Sequence, residues 1–110
     1  MRILIDECLP KKLKEAISAD EVVTVPEAGW AGKTNGELLH LMTDVYDVFI
    51  TVDSSLQSQQ QLGDLPIRFI VLSAHNNKLE TLLPLMPQAQ AALETIQPGE
   101  VVIIRQQSEG

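Results

Sequence analysis

Residues 47–53 read DVFITVD, and this stretch decides the fold. Val48 through Val52 is apolar or β-branched on both alternating faces, which is typical of a central strand in a parallel sheet covered by helices. The strand ends on a carboxylate, Asp53. The N-terminus repeats the arrangement, because residues 2–6 read RILID and end on Asp6. Two apolar strands that each end on an acid indicate either two capped helices or one charged pocket.

Apolar runs alternate with amphipathic stretches along the rest of the chain. The predicted strands are 2–5, 21–25, 47–52, 67–72 and 100–104, and the predicted helices are 10–19, 34–43, 54–62 and 77–96. Pro84 and Pro87 should kink or split the last helix. This alternation predicts an α/β fold, a three-layer α/β/α sandwich with a mostly parallel sheet. We expect a single domain over residues 1–105 and a polar C-terminal tail over 106–110.

Composition narrows the class of protein. A chain of 110 residues with 45% hydrophobic and 21% charged residues is expected to form one globular domain. It has no apolar run long enough for a membrane span, no signal-peptide pattern and a single cysteine, Cys8, so we predict a cytoplasmic protein. The net charge of −7 disfavours extended nucleic-acid binding. Without a G-x-G-x-x-G or P-loop motif, no nucleotide cofactor is expected.

The two strand-ending acids predict a cation site. In parallel sheets ligands bind beyond the carboxyl ends of the strands, where the strand order reverses. If the first and third strands are neighbours, Asp6 and Asp53 lie about 5 Å apart, and a bound cation would relieve their repulsion. Carboxylate oxygens suit Mg²⁺ or Mn²⁺. The alternative is that Asp53 caps a helix at Ser54, and that Asp6 and Glu7 favour the positive end of the helix at Pro10.

Three other residues near this edge of the sheet have two interpretations each. Glu37 matches a capping box in Thr34-Asn35-Gly36-Glu37, but its helix also begins at the carboxyl edge, where a third carboxylate would complete a metal site. Trp30 either packs its loop down or stacks on a base. His75 follows the fourth strand and is a candidate substrate contact, or a surface residue.

Charges are predicted to separate between the two edges of the sheet. The cations expected at the carboxyl edge are Lys11, Lys12, Lys33, Lys78 and Arg105. The acids expected at the opposite edge are Asp20, Glu21, Asp44, Asp47, Asp64, Glu94 and Glu100. A basic rim around an acidic centre suits a phosphodiester substrate, with Lys11, Lys12 and Lys33 as substrate contacts. The alternative is that these lysines are ordinary solvated surface.

The motifs RILIDECLP, EVVTVPEAGWAGKTNGELL and DVFITVD, in this order, resemble the short prokaryotic PIN-like proteins related to toxin–antitoxin nucleases. The resemblance covers about residues 1–75. It implies a PIN-like fold and a metal-dependent ribonuclease, with Asp6, Glu37 and Asp53 as catalytic ligands of Mg²⁺ or Mn²⁺. The implied partners are an RNA substrate, an antitoxin-like protein and a second copy of the chain.

Two departures keep other functions open. Ser55 stands where the family often has a fourth acid, and Asn35 where an Asp is frequent, so a catalytically degenerate, protein-binding member is an alternative. The chain also resembles response-regulator receiver domains, in which Asp53 would accept a phosphoryl group and Ser73 would be the switch hydroxyl. Against that reading, the fifth strand is not followed by a lysine-proline pair.

Overall fold

The structure is a computed structural model that describes residues 1–52 and 65–106. Its five described strands form one parallel sheet in the order β2-β1-β3-β4-β5. The strands are β1 (Arg2–Ile5), β2 (Glu21–Thr24), β3 (Val48–Thr51), β4 (Arg68–Ser73) and β5 (Val101–Arg105). The order reverses at β1, whose neighbours are β2 and β3. The predicted parallel α/β architecture is therefore confirmed, and each predicted strand lies within one residue of the observed ends.

Side-chain alternation places apolar residues on both faces of the sheet. In β1, Ile3 and Ile5 belong to one buried cluster, whereas Leu4 belongs to the other. Leu4, Phe49 and Phe69 are aligned across three neighbouring strands and are completely buried. The polar residues of the strands lie at strand ends, and the interior positions are apolar because both faces of the sheet are covered by helices. This explains why the strand sequences show no amphipathic alternation.

One face is covered by helix α1 (Asn35–Met42), which packs Leu38, Leu39 and Met42 against the sheet. The other face is covered by a 3₁₀ helix at Lys11–Ala16 and by the segment α2 (Leu79–Leu82), a 3₁₀ turn at Leu83–Leu85, and α3 (Met86–Ala92). Two helical layers thus enclose the sheet. Within the described residues, no helix is both long and apolar enough to span a membrane.

The segment after β1 departs from the predicted α-helix over 10–19. It is a six-residue 3₁₀ helix, with hydrogen bonds from Leu13 N–H to the Pro10 carbonyl and from Ile17 N–H to the Lys14 carbonyl. Pro10 is extended, with φ −61° and ψ 137°, and lies outside the helix. Ile17 is extended again, so the chain can reach β2 after only three more residues.

The predicted break in the last helical segment is confirmed. Pro84 lies in the 3₁₀ turn and Pro87 in the first turn of α3. Since proline has no N–H to donate, both positions interrupt a continuous α-helix and divide the segment into three pieces. The predicted helix over 54–62 lies outside the described residues.

Candidate functional site at the carboxyl ends of β1 and β3

Asp6 is the central residue of the candidate site. It directly follows β1, and its backbone N–H continues the ladder to the Ile50 carbonyl of β3 at 3.0 Å. The residue is only 7% exposed. Oδ2 accepts a hydrogen bond from the Thr51 hydroxyl at 2.7 Å, and Oδ1 accepts one from the Glu7 N–H at 2.8 Å. A buried carboxylate is therefore held in one orientation at the point where the strand order reverses.

The other strand-ending acid, Asp53, lies outside the described residues, as do Ser54 and Ser55. The sequence predicted that Asp6 and Asp53 lie close together if the first and third strands are neighbours. This condition is met, because β1 and β3 are neighbours and Ile5 is paired with Ile50. Across residues 1–52 and 65–106, no group of three His, Cys, Asp or Glu side chains is arranged to hold a metal ion. That search does not include Asp53, so the predicted three-acid site remains a prediction.

Glu37 forms the capping box that its sequence allows. The Thr34 hydroxyl accepts a hydrogen bond from the Glu37 N–H at 3.2 Å, while Glu37 Oε1 accepts hydrogen bonds from the Thr34 N–H at 3.1 Å and hydroxyl at 3.0 Å. These hydrogen bonds from Thr34, together with the nearby Lys33 charge, lower the pKa of Glu37. The exposed carboxylate is therefore an anion in the first turn of α1, where the helix terminus orients it.

Glu7 connects the first strand to the glycine-rich loop before α1. Its Oε1 accepts a hydrogen bond from the Gly32 N–H at 3.1 Å. Gly32 has φ +83°, a left-handed conformation that glycine adopts without steric cost. At the other side of the loop, Trp30 meets Tyr46 edge-on, with ring centroids 5.8 Å apart, and packs against the buried cluster beneath α1. The loop that leads to Glu37 is thus fixed at both sides, and Trp30 packs against the protein.

Glu27 is a charged centre that the sequence analysis missed. Its carboxylate lies 2.9 Å from Lys14 Nζ and 3.7 Å from Lys11 Nζ. Oε1 also accepts hydrogen bonds from the Thr24 N–H at 3.0 Å and hydroxyl at 3.1 Å. The signal was in the sequence, because Thr24-Val25-Pro26-Glu27 has the same T-x-x-E spacing as the box at Thr34–Glu37. Here the motif closes a turn at the carboxyl end of β2.

The ion pair with Lys14, followed by the hydrogen bond from the Thr24 N–H, lowers the pKa of Glu27 to about 2. A carboxylate whose pKa is lower when folded stabilises the protein above its unfolded pKa and loses this contribution as the pH falls. We expect the stability difference between the wild type and Glu27→Gln to be constant above pH 5 and to disappear between about pH 4.5 and 2. Urea unfolding across this pH range measures the difference.

The matched background for this prediction is Lys14→Met, which removes the main partner of Glu27. In that background the pKa of Glu27 should rise toward its ordinary value, so Glu27→Gln should have a smaller effect that changes at higher pH. A Glu27 carboxyl that titrates at the same pH with and without Lys14 would contradict the assignment.

The basic rim is partly neutralised in the structure. Lys11, Lys12 and Lys33 are exposed, and the connectivity places all three after the carboxyl ends of β1 and β2. Lys11 forms an ion pair with Glu27. Both residues, together with Glu7, line a cavity of about 350 Å³. Within the described residues, neither Lys12 nor Lys33 has an ion pair. The predicted acids at the opposite edge include Glu21 and Asp47, which contact Arg2 at the amino end of the sheet.

Cys8 lies beside Asp6 and is unsuited to nucleophilic chemistry. Burial of the thiol, and secondly the negative charge of Asp6, raise the pKa of Cys8 to about 11. The residue as a whole is exposed, but its sulfur remains a thiol at neutral pH. The chemistry of this edge therefore depends on carboxylates.

His75 is brought to the carboxyl edge, at the end of β4, as the sequence predicts. Its ring Nδ1 lies 2.8 Å from Gln106 Oε1, which also accepts a hydrogen bond from the His75 backbone N–H at 3.0 Å. Gln106, the first residue of the predicted tail, also donates its N–H to the Ser73 carbonyl at 2.7 Å. It is thus part of the folded edge, whereas residues 107–110 lie outside the described range.

Comparisons of this chain with protein-family models, with curated proteins and with solved structures find no significant match.

Proposed function

We propose that this protein is a PIN-like, metal-dependent ribonuclease, and that it is the toxin component of a toxin–antitoxin module. The observation that carries the proposal is the position of the buried Asp6 carboxylate. It accepts hydrogen bonds from Thr51 and Glu7 and lies where the order of the strands in the sheet reverses. The chain continues from Thr51 to Asp53 in two residues, and this supports a second carboxylate near the first. Glu37, held at the start of α1, is the third proposed catalytic residue.

The proposed donors suit a hard divalent cation. Asp6, Glu37 and Asp53 would provide carboxylate oxygens, which Mg²⁺ and Mn²⁺ prefer over nitrogen or sulfur ligands. When bound, such an ion would supply an activated water and stabilise charge on the leaving oxygen of a phosphodiester. Thr51 would keep the Asp6 carboxylate in one orientation through its hydrogen bond. The Thr34 box would do the same for Glu37, whose lowered pKa keeps it ionised.

An RNA substrate is supported by the distribution of charge around the site. The acids Glu21 and Asp47 lie at the amino ends of the strands, whereas the exposed residues Lys12 and Lys33 follow the carboxyl ends of β1 and β2. This separation directs a phosphate backbone toward the carboxyl edge in spite of the net charge of −7. An antitoxin-like protein or a second copy of the chain is the proposed protein partner.

RNA cleavage in the presence of Mn²⁺ tests the proposal directly. The wild type should cleave single-stranded RNA, and Asp53→Asn, which removes one ligand charge without changing side-chain size, should reduce the rate by at least about 100-fold. Asp47→Asn, the same substitution at the amino end of β3, is the matched control and should retain wild-type activity. Equal cleavage by the wild type and Asp53→Asn, or no cleavage by either, would overturn the nuclease assignment.

A protein-binding, catalytically degenerate member of the same family is the second candidate. It is favoured by Ser55 and Asn35, two positions at which the resemblance would place acids. Such a protein should form a stable complex with the product of a neighbouring gene but show no heat of binding with Mn²⁺. Calorimetry and co-purification distinguish it from the nuclease.

The receiver-domain candidate is supported by one structural observation, the strand order β2-β1-β3-β4-β5, which is that of flavodoxin-like folds and receiver domains. Ser73 ends β4, but β5 ends on Arg105, is followed by Gln106 and provides no lysine. A receiver should change its spectrum or oligomeric state with beryllofluoride, and Asp53→Asn should abolish the change.

A further inference from the structure

A second concave site lies at the same edge of the sheet, beyond β4 and β5. It is a cavity of about 480 Å³, within the range of small-molecule sites. Its lining residues come from the two strand ends and the helical segment that follows β4: His75, Glu80, Thr81, Pro84, Leu85, Gln88 and Gln106. Leu85 is buried and provides an apolar wall, while most of the other residues are polar.

Gln106 determines which nitrogen of His75 carries the proton. A backbone N–H can only donate, so the Gln106 side-chain atom 3.0 Å from the His75 N–H must be the oxygen. The same oxygen lies 2.8 Å from Nδ1, and an amide oxygen can only accept. Nδ1 of the neutral imidazole must therefore carry the hydrogen, and Nε2 must carry the lone pair. Within the described residues, Nε2 has no hydrogen-bond partner.

The cavity presents acceptors on two side chains, beside the Thr81 hydroxyl and the Gln88 and Gln106 amides, which can also donate. Nε2 of His75 accepts, and the Glu80 carboxylate accepts with two oxygens. Within the part of the chain that the structure describes, the lining contains no lysine or arginine. Such a lining suits a neutral group that brings N–H donors to the His75 and Glu80 acceptors. Among the bases of RNA, guanine has this character, because N1–H and the 2-amino group lie side by side and match a carboxylate.

We propose that this cavity is a guanine-binding subsite, in which the Glu80 carboxylate accepts from N1–H and the 2-amino group and His75 Nε2 accepts from a further donor of the nucleoside. The inference rests on the proposed ribonuclease function for its biological substrate, an RNA chain. In the sheet, β4 lies next to β3. An RNA chain that crosses the carboxyl edge would therefore place one base in this cavity and a phosphodiester near Asp6. Cleavage should then occur at a fixed position relative to guanine.

Binding of GMP and IMP to the full chain, measured by calorimetry, tests the subsite without any cleavage. The two nucleotides differ only by the 2-amino group, so GMP should bind about tenfold more tightly. Glu80→Gln should lose most of this preference, because the carboxylate that accepts from both N–H groups is gone. Glu94→Gln is the matched control, since Glu94 is also exposed and precedes β5 on the opposite edge.

The tautomer of the His75 imidazole can be measured directly by NMR. In the wild type at a pH where His75 is neutral, ¹⁵N NMR should show a protonated Nδ1 and an unprotonated Nε2. Gln106→Asn shortens the side chain by one methylene and should allow both tautomers and weaken GMP binding. Equal binding of GMP and IMP, no binding of GMP, or a protonated Nε2 in the wild type would overturn the subsite.

The nuclease proposal and the guanine-subsite proposal can be disproved independently of each other. Preferential GMP binding without RNA cleavage would retain the subsite and remove the nuclease. Mn²⁺-dependent cleavage without GMP binding, and with no preference for a position near guanine, would retain the nuclease and remove the subsite.

Discussion

Asp6→Asn should weaken Mn²⁺ binding and RNA cleavage by at least about 100-fold while leaving the fold intact. The substitution removes the only negative charge on this buried side chain but keeps its size. The fold should tolerate it because the Thr51 hydroxyl, which donates to Asp6 Oδ2 at 2.7 Å, can rotate and accept from an amide instead. Calorimetric titration with Mn²⁺ and an RNA cleavage assay measure the two effects.

Asp47→Asn is the matched control for this prediction. Asp47 is also an acid next to β3, and its carboxylate also accepts a backbone hydrogen bond, from the Arg2 N–H at 2.7 Å. It lies at the amino end of the strand, so the same substitution there should leave metal binding and cleavage unchanged. Similar Mn²⁺ affinities for the wild type and Asp6→Asn would contradict the metal site, provided that circular dichroism shows both to be folded.

Phe49→Ala should reduce the free energy of unfolding by about 3–5 kcal/mol. Phe49 is completely buried in the central strand, between Leu4 of β1 and Phe69 of β4. Its removal leaves a cavity between the sheet and α1 that these aligned neighbours can fill only in part. Because the total stability of such a domain is about 5–15 kcal/mol, this loss should be a large fraction of the stability. Urea denaturation measures the loss.

Val45→Ala is the control for apolar truncation at the surface. Val45 is 37% exposed in the turn after α1, and its substitution should change the stability by less than about 0.5 kcal/mol. A loss below about 1 kcal/mol for Phe49→Ala would show that the core rearranges around the missing ring, and would contradict the packing described for this face.

The local sequence was sufficient wherever neighbouring residues decide the structure. The strand 2–5, the capping box at Thr34 and Glu37, and the interruption at Pro84 and Pro87 all depend on contacts or constraints within a few residues. The segment after β1 was predicted less well. Its leucine and isoleucine spacing fits an α-helix, but the short connection to β2 leaves room for one 3₁₀ helix of six residues.

The candidate site was predictable in part. Asp6 could be assigned to the carboxyl edge because an apolar run ends there, and its neighbour in β3 could be expected from common strand orders. Glu27 could have been found by the repeated T-x-x-E spacing. Its pairing with Lys14 spans 13 residues, and the bond between His75 and Gln106 spans 31. Neither pairing has a local signal.

The sequence by itself determined the five strands and their order along the chain, and placed carboxylates after two apolar strands. Only the tertiary structure decided that β1 lies beside β3, that Thr51 orients Asp6, and that Gln106 orients His75. The physical reason is the range of the interactions. Hydrophobic periodicity and helix capping act within about one or two turns of the chain, whereas strand register joins residues that are distant in sequence and meet only when both faces of the sheet are buried.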